Sequence, residues 1–302
     1  MIVMLGACGS ESPTAGGPNP ATTATSPSTP ATSSTGAAST TTALVTTTTI
    51  AEDTWSVVVV GDFGDGGAAE LEVAAAMQAW VVARPETRAL VTTGDNFYTS
   101  DVLAAWEVPY GWVEEAGLSV WPVPGNHDIE RPGQWQASVT AFGGFPRWRV
   151  RDIGNVTFVL LDSNQLRSAE QRAWLDDTVA TLGARPWVAV FHYPWWSCST
   201  HGSDAAIDEV WGDLLRGAVL VLNGHDHNYQ RFASESGWSV VTGGGGRRLH
   251  PITGCPVGTA PPVAAAAGYH FVVISGDAAG LLVEVIGVDG AHIDTFRVEF
   301  PG

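Results

Sequence analysis

Five short apolar runs, each ending in a polar residue able to bind metal, constrain this chain more than any other feature. Residues 57–60 are four valines that stop at Gly61-Asp62. Residues 89–93 run into Gly94-Asp95, 119–123 lead to Gly125-Asn126-His127, 187–191 end at His192, and 219–222 end at Asn223-Gly224-His225. Apolar runs without alternation belong to strands buried on both faces. Helix-length stretches at 68–83, 169–182 and 205–215 fall among them. The pattern predicts an α/β fold in which layers of sheet are covered by helices, with ligands gathered beyond the carboxyl ends of the strands. The runs at 238–242, 269–275, 281–287 and 292–300 are strand-like and separated by Gly- and Asp-containing turns. They predict hairpins of a mostly antiparallel second sheet.

The N-terminal sixth has a different texture. Residues 12–51 hold almost nothing but Thr, Ser, Ala, Pro and Gly, with no aromatic residue, so they cannot bury enough apolar surface to offset their ordering entropy. The division expected is a truncated signal-like segment at 1–8, a disordered linker at 9–52 and one catalytic domain at 53–302. Leu5-Gly6-Ala7-Cys8 resembles the lipobox of bacterial lipoproteins, whose cysteine is lipidated, and this implies a domain held at a cell surface by Cys8. The placement expected is therefore extracytoplasmic, as a secreted or surface-tethered protein. Cys198 and Cys255 make one plausible disulfide if the chain is exported, and are free thiols if it is not. No apolar run approaches the roughly 20 residues of a membrane-spanning helix. With 31 acidic residues against 14 arginines and no lysine, the formal net charge is −17, which disfavours nucleic acid and anionic lipid as docking partners. It does not exclude a small anionic substrate, because bound metal reverses the local field.

The polar strand ends form an ordered series: Gly61-Asp62-Phe63-Gly64, Gly94-Asp95-Asn96-Phe97-Tyr98, Gly125-Asn126-His127-Asp128, His192 followed by Tyr193-Pro194, and Gly224-His225-Asp226-His227. Oxygen and imidazole donors without thiolate favour iron, zinc or manganese. In an extended segment, His225 and His227 project to one side while Asp226 points away. This series resembles that of the calcineurin-like metallophosphoesterases, and Tyr98 resembles the tyrosine of the purple acid phosphatases. The stretch from His192 through Trp195-Trp196-Ser197 to His201 is similar to the small, tartrate-resistant type. The resemblance spans roughly residues 55–300. It implies a four-layer α/β/β/α sandwich with two mixed sheets flanked by helices. It also implies a binuclear centre in which Asp62, Tyr98 and His227 hold Fe(III). Asn126, His192 and His225 then hold a divalent Fe, Zn or Mn ion, and Asp95 bridges the two. A phenolate and two carboxylates suit a hard trivalent ion, while neutral ligands suit a divalent one. Two ions about 3.5–4 Å apart clamp phosphate oxygens and turn a bound water into hydroxide for in-line attack. His201 is expected to protonate the leaving group and His127 to steady the phosphoryl oxygens.

The activity so implied is hydrolysis of small phosphate monoesters. The alternatives are a phosphodiesterase or nucleotidase of the same superfamily, and a non-catalytic surface binding protein on the same scaffold. Other residues are open to two readings. Trp195 and Trp196 either line the substrate entrance or pack. Gly243–Gly246 with Arg247-Arg248 either brings a guanidinium toward phosphate or forms an exposed flexible loop. Asp128 is read as fixing a turn or supporting His127. His250 and His270 are read as outside the ligand set, and His292 as exposed.

Overall fold

The computed structural model describes residues 54–300, apart from 131, 132 and 236. Cys8 and the linker expected at 9–52 lie outside the described residues.

In the first half of the chain, β1 (Trp55–Val60), α1 (Ala68–Val82) and β2 (Thr87–Thr92) form a βαβ unit with parallel strands. A π-helical turn (Leu103–Glu107) and two short helices, α2 (Val108–Tyr110) and α3 (Trp112–Glu115), lead to β3 (Ser119–Trp121), again parallel. Helix α4 (Gln134–Ala141) precedes the hairpin of β4 (Arg149–Ile153) and β5 (Val156–Leu160). Then follow α5 (Ala169–Leu182), β6 (Trp187–Val190), α6 (Ala205–Leu215) and β7 (Leu220–Asn223). Both helix starts have side-chain caps: Ser168 Oγ accepts from Gln171 N at 3.2 Å and Asp204 Oδ1 from Ala206 N at 2.9 Å. The chain continues through β8 (Tyr229–Ala233), β9 (Trp238–Thr242) and β10 (Ala264–Ala266). It ends with β11 (His270–Gly276), β12 (Gly280–Gly287) and β13 (His292–Glu299).

These strands make two mixed sheets, ordered β13-β12-β11-β1-β2-β3 and β10-β8-β9-β7-β6-β5-β4. Alternate side chains fix the layers. Val57, Val59, Val188, Val190, Leu220 and Leu222 face one core in which residues of both sheets meet. Val58, Val60 and Leu90 turn the other way and pack with Val73, Ala74 and Met77 of α1. Val159, Ala189 and Val221 pack with Leu175 of α5 and Ile207, Trp211 and Leu215 of α6. The result is the expected helix-sheet-sheet-helix sandwich.

One expectation changes. The four C-terminal runs do not form a sheet of their own. β9 lies parallel to β7 inside one sheet, while β11, β12 and β13 extend the other, with β11 antiparallel to β1. The reason is burial: Val272 and Ile274 face the inter-sheet core while Phe271 and Val273 face the α1 side, so β11 has to lie within a covered sheet. Strands β4, β5, β8 and β10 complete the second sheet without having been expected from the sequence.

Candidate metal centre

Parallel strands β1, β2, β6 and β7 send their carboxyl ends to a common edge, and the five polar motifs converge there. The backbone is held in unusual conformations to achieve this. Asp62, Asp95 and His225 are the three non-glycine residues with positive φ among those described, at 58°, 52° and 70°. Such conformations are strained and persist when their surroundings over-determine them. Glycines make room beside them: a Cβ on Gly125 would lie 2.1 Å from Asp95 Oδ1, and one on Gly224 2.4 Å from Asp62 Oδ2.

All seven expected ligand side chains come together, in two groups. In the first, the Tyr98 hydroxyl lies 3.1 Å from His227 Nε2, 3.4 Å from Asp62 Oδ1 and 3.0 Å from Asp95 Oδ2. In the second, His192 Nε2 lies 3.1 Å from Asn126 Oδ1, 3.2 Å from His225 Nδ1 and 3.3 Å from Asp95 Oδ1. Asp95 thus turns one carboxylate oxygen to each group.

The donor inventory tests whether a cation fits. His192 Nδ1 donates to the Thr93 carbonyl at 2.9 Å and His227 Nδ1 to the Arg248 carbonyl at 2.8 Å. Each ring therefore directs Nε2 inward, the nitrogen that becomes a ligand once any proton on it leaves. Asn126 Nδ2 donates to Glu130 Oε1 at 3.1 Å, which aims its Oδ1 at His192. The acceptor atoms of His192, Asn126 and Asp95 point at one another, with His225 Nδ1 beside them and His127 N donating to Asp95 Oδ1 at 2.9 Å. A cation among these oxygen and imidazole donors would satisfy them together, and the residues present fit a metal ion. Asp95, His192 and His225 form one group of potential ligand atoms lying within 4.8 Å of one another.

Electrostatics agree. Burial drives the Asp62 carboxyl upward against the pull of His227 and His192. Burial pulls His192 down, but Asp95 outweighs it and lifts the imidazole to about 9. Burial, with His192 and His201 nearby, presses His225 down to about 2. Tyr98 is driven well above its ordinary value by burial and by Asp62 and Asp95. A phenol so placed gives up its proton only to a strong Lewis acid.

Buried braces hold the motifs. Asp128 accepts from the backbone N–H groups of Asn96, Phe97 and Gly125 and from the Asn96 side chain, at 2.8–3.2 Å. It therefore fixes two of the ligand-bearing turns, and burial pushes its carboxyl up to about 7. Asp226, pointing away from the ligands as the spacing required, accepts from Ser197 Oγ at 2.6 Å and from His201 N at 3.0 Å. The roles of Asp226 and Glu130 were missed in the sequence, since neither carries a motif signal distinct from its neighbours.

A cavity of ≈ 420 Å³ opens over both groups. His127 lies at its wall, with its ring 4.5 Å from that of Tyr98 and Nδ1 2.9 Å from Glu130 Oε2. His201 is exposed at the rim, its ring 4.1 Å from that of His225. His250 also faces the cavity, stacked on His227 at 3.9 Å between ring centroids. Gly243–Gly246 is buried, with Gly245 N donating to the Gly61 carbonyl at 2.9 Å, so this segment is no exposed flexible loop. It delivers Arg247 and Arg248 to the cavity wall. Trp195 and Trp196 stack on each other at 4.1 Å and pack in the core beneath. His270 is a buried core histidine bonded to Thr242 and Gly268, and His292 is exposed. Cys198 and Cys255 are joined by a disulfide.

The family profile of calcineurin-like phosphoesterases matches residues 49–229, more than half of the chain, so the chain belongs to that family of hydrolases, whose centre is binuclear. Among curated proteins none matches the sequence. Among solved structures the chain is similar to GAP50, the anchor in the inner membrane complex of Plasmodium. The TM-score is 0.70 at 14% identity, covering 83% of this chain and 90% of that one. It is also similar to a purple acid phosphatase from yellow lupin (Lupinus luteus) seeds, with TM-score 0.68 and 18% identity over 82% of this chain. The match spans 54% of the lupin enzyme. PhoD is a more distant likeness, at TM-score 0.50 and 11% identity over 83% of this chain and 71% of that one. At these identities the likenesses establish the fold.

Proposed function

We propose that the chain hydrolyses small phosphate monoesters with two metal ions, outside the cytoplasm. The observation that carries this is Asp95, whose two oxygens each face a separate set of ligand atoms, with His192 Nε2 3.3 Å from Oδ1 and the Tyr98 hydroxyl 3.0 Å from Oδ2. Asp62, Tyr98 and His227 would hold Fe(III), Asn126, His192 and His225 a divalent Fe, Zn or Mn ion, and Asp95 both. The chemistry supplied by the bound pair is Lewis acidity, which acidifies water and offsets charge on phosphoryl oxygens.

The chain's own residues do the rest. His127 presents its ring to the cavity, where it contacts a phosphoryl oxygen. His201 stands at the rim over His225 and delivers a proton to the leaving oxygen; burial sets its imidazole below the ordinary value, so its protonated form is the stronger acid. Asp226 holds the His201 backbone in place.

The disulfide between Cys198 and Cys255 supports an oxidising compartment, in keeping with a tether at Cys8. The domain division at about residue 53 is part of the same proposal. Because the Plasmodium structure is described as an anchor, a binding role on this scaffold is the second reading; the complete ligand set argues for catalysis.

The test is turnover by metal-loaded protein of p-nitrophenyl phosphate against bis(p-nitrophenyl) phosphate. We expect the monoester to be preferred and both Asp95→Asn and His192→Ala to lose at least about a thousandfold in kcat while remaining folded. A strong diester preference would reassign the substrate class, and full activity in both variants would refute the mechanism. With iron bound, tyrosinate charge transfer gives a visible band that Tyr98→Phe abolishes; a colourless, fully active zinc or manganese protein would overturn the iron assignment alone.

A further inference from the structure

Arginine is the only strongly basic side chain here, 14 residues against 31 acids, and among the described residues most of its guanidinium groups are engaged. Arg247 is one of these. It pairs with Asp65 Oδ2 at 3.1 Å, and its guanidinium carbon lies 4.6 Å from the centroid of the Tyr98 ring. Arg248 differs. It is exposed, it lines the cavity, and among the described residues its side chain has no hydrogen-bond, ion-pair or ring partner.

Its backbone, by contrast, is fixed to the centre. The Arg248 carbonyl accepts a hydrogen bond from His227 Nδ1 at 2.8 Å, and its neighbours are held by Arg247 N donating to the Asp62 carbonyl and His250 N to the His227 carbonyl, both at 3.0 Å. An unengaged cation on an anchored base is positioned to receive an anion. The cavity favours one: two arginines line it, and Asp95 is the one carboxylate among its lining residues. At ≈ 420 Å³ it falls in the range of small-molecule sites, about 300–1,000 Å³, so it admits a leaving group as well as the reacting phosphoryl.

We infer that Arg248 is a specificity-determining residue that selects phosphate monoesters whose leaving alcohol carries a second anion, a carboxylate or another phosphate. This rests on the phosphatase reading above. The reacting phosphoryl is met by the centre and His127, so the guanidinium at the rim is left for the distal group, which its planar fork matches in either chemistry. The reaction is ordinary hydrolysis. A bond forms from water oxygen to phosphorus and the bond from phosphorus to the ester oxygen breaks; that oxygen keeps the electron pair and takes a proton from His201, while the proton given up by the water passes to solvent, from which His201 is reprotonated. Arg248 enters the recognition and not the bond changes.

The test compares metal-loaded wild-type protein with Arg248→Ala and Arg248→Lys on phenyl phosphate, 4-carboxyphenyl phosphate and 1,4-phenylene bisphosphate. For Arg248→Ala, kcat/KM for at least one dianion-bearing probe falls about tenfold relative to phenyl phosphate, mainly through KM, and Arg248→Lys recovers part of it. Loss on one probe only identifies the distal group as carboxylate or phosphate. Ratios that move less than twofold on both probes overturn the inference. If wild-type protein turns over none of the three, the phosphatase reading fails separately. Calorimetric binding of phenylene bisphosphate then decides for Arg248: affinity about tenfold weaker in Arg248→Ala supports it, and equal affinity refutes it.

Discussion

Gly125 shows how tightly single residues are specified around Asp95. A methyl group there would stand 2.1 Å from the Asp95 carboxylate and 2.2 Å from its backbone nitrogen, so Gly125→Ala has to move the one residue both ligand groups share. We expect metal retention in chelator competition to weaken by about 10–100-fold, with the circular dichroism spectrum unchanged. Glu130→Ala releases the Asn126 amide and frees His127, so the second ligand group should weaken by about tenfold in the same assay. At this scale the sequence was legible where chemistry is carried by a motif: the seven ligand candidates were visible because each follows an apolar run and a turn. Their supports were not. Asp226 and Glu130 act through partners distant in sequence or set by loop geometry, and the stacking of His250 on His227 depends on a glycine-rich segment whose path only the fold reveals.

Loops and strands carry the next level of control. The Cys198–Cys255 disulfide ties the loop after β6, which bears His201, to the loop after β9. Thr253 N and Gly254 N also donate to the Cys198 carbonyl, and Ser199 Oγ donates to Pro251 O at 2.9 Å. Cys255→Ser is expected to cost about 2–4 kcal/mol of stability, read as a lower midpoint in thermal unfolding, and to reduce kcat through the His201 loop. An unchanged midpoint would mean that the surrounding hydrogen bonds suffice. The helices α5 and α6 fall on the stretches expected, 169–182 and 205–215, and in the structure a capping Ser or Asp fixes each start. The C-terminal hairpins were readable as strands, yet their sheet was not, since register against β1 is decided by which faces of β11 are covered. β4 and β8 were invisible because exposed or polar residues interrupt them, as in Arg149–Ile153 and Tyr229–Ala233.

For the molecule as a whole, the centre links metal, protons and stability. His192 sits at about 9 in the metal-free fold, so near pH 7 it holds a proton that a bound ion must expel. Titrating the metal-free protein with Zn(II) in weak buffer should therefore release at least about one proton per chain from this group, and release should diminish above pH 9. No release at pH 7 would show that the imidazole is already neutral. The acid side has the opposite sign. Burial raises the Asp226 carboxyl, but hydrogen bonds from His250, Ser197 and His201 N outweigh it and hold the group at about 2, below its ordinary 3.8. Its contribution, about 2 kcal/mol, is present above pH 3.8 and disappears as pH falls toward 2. In Asp226→Asn the stability profile should be flatter across that interval. The net charge of −17, legible at once, limits partners, while the positive charge at the cavity wall comes from Arg247 and Arg248, brought there by folding.

The most direct test of the account is anomalous diffraction from crystals of the metal-loaded protein, with metal content measured on the same material. Two ions per chain are predicted, about 3.5–4 Å apart, each bonded to a different oxygen of Asp95. A single ion, or a pair not sharing Asp95, would contradict it.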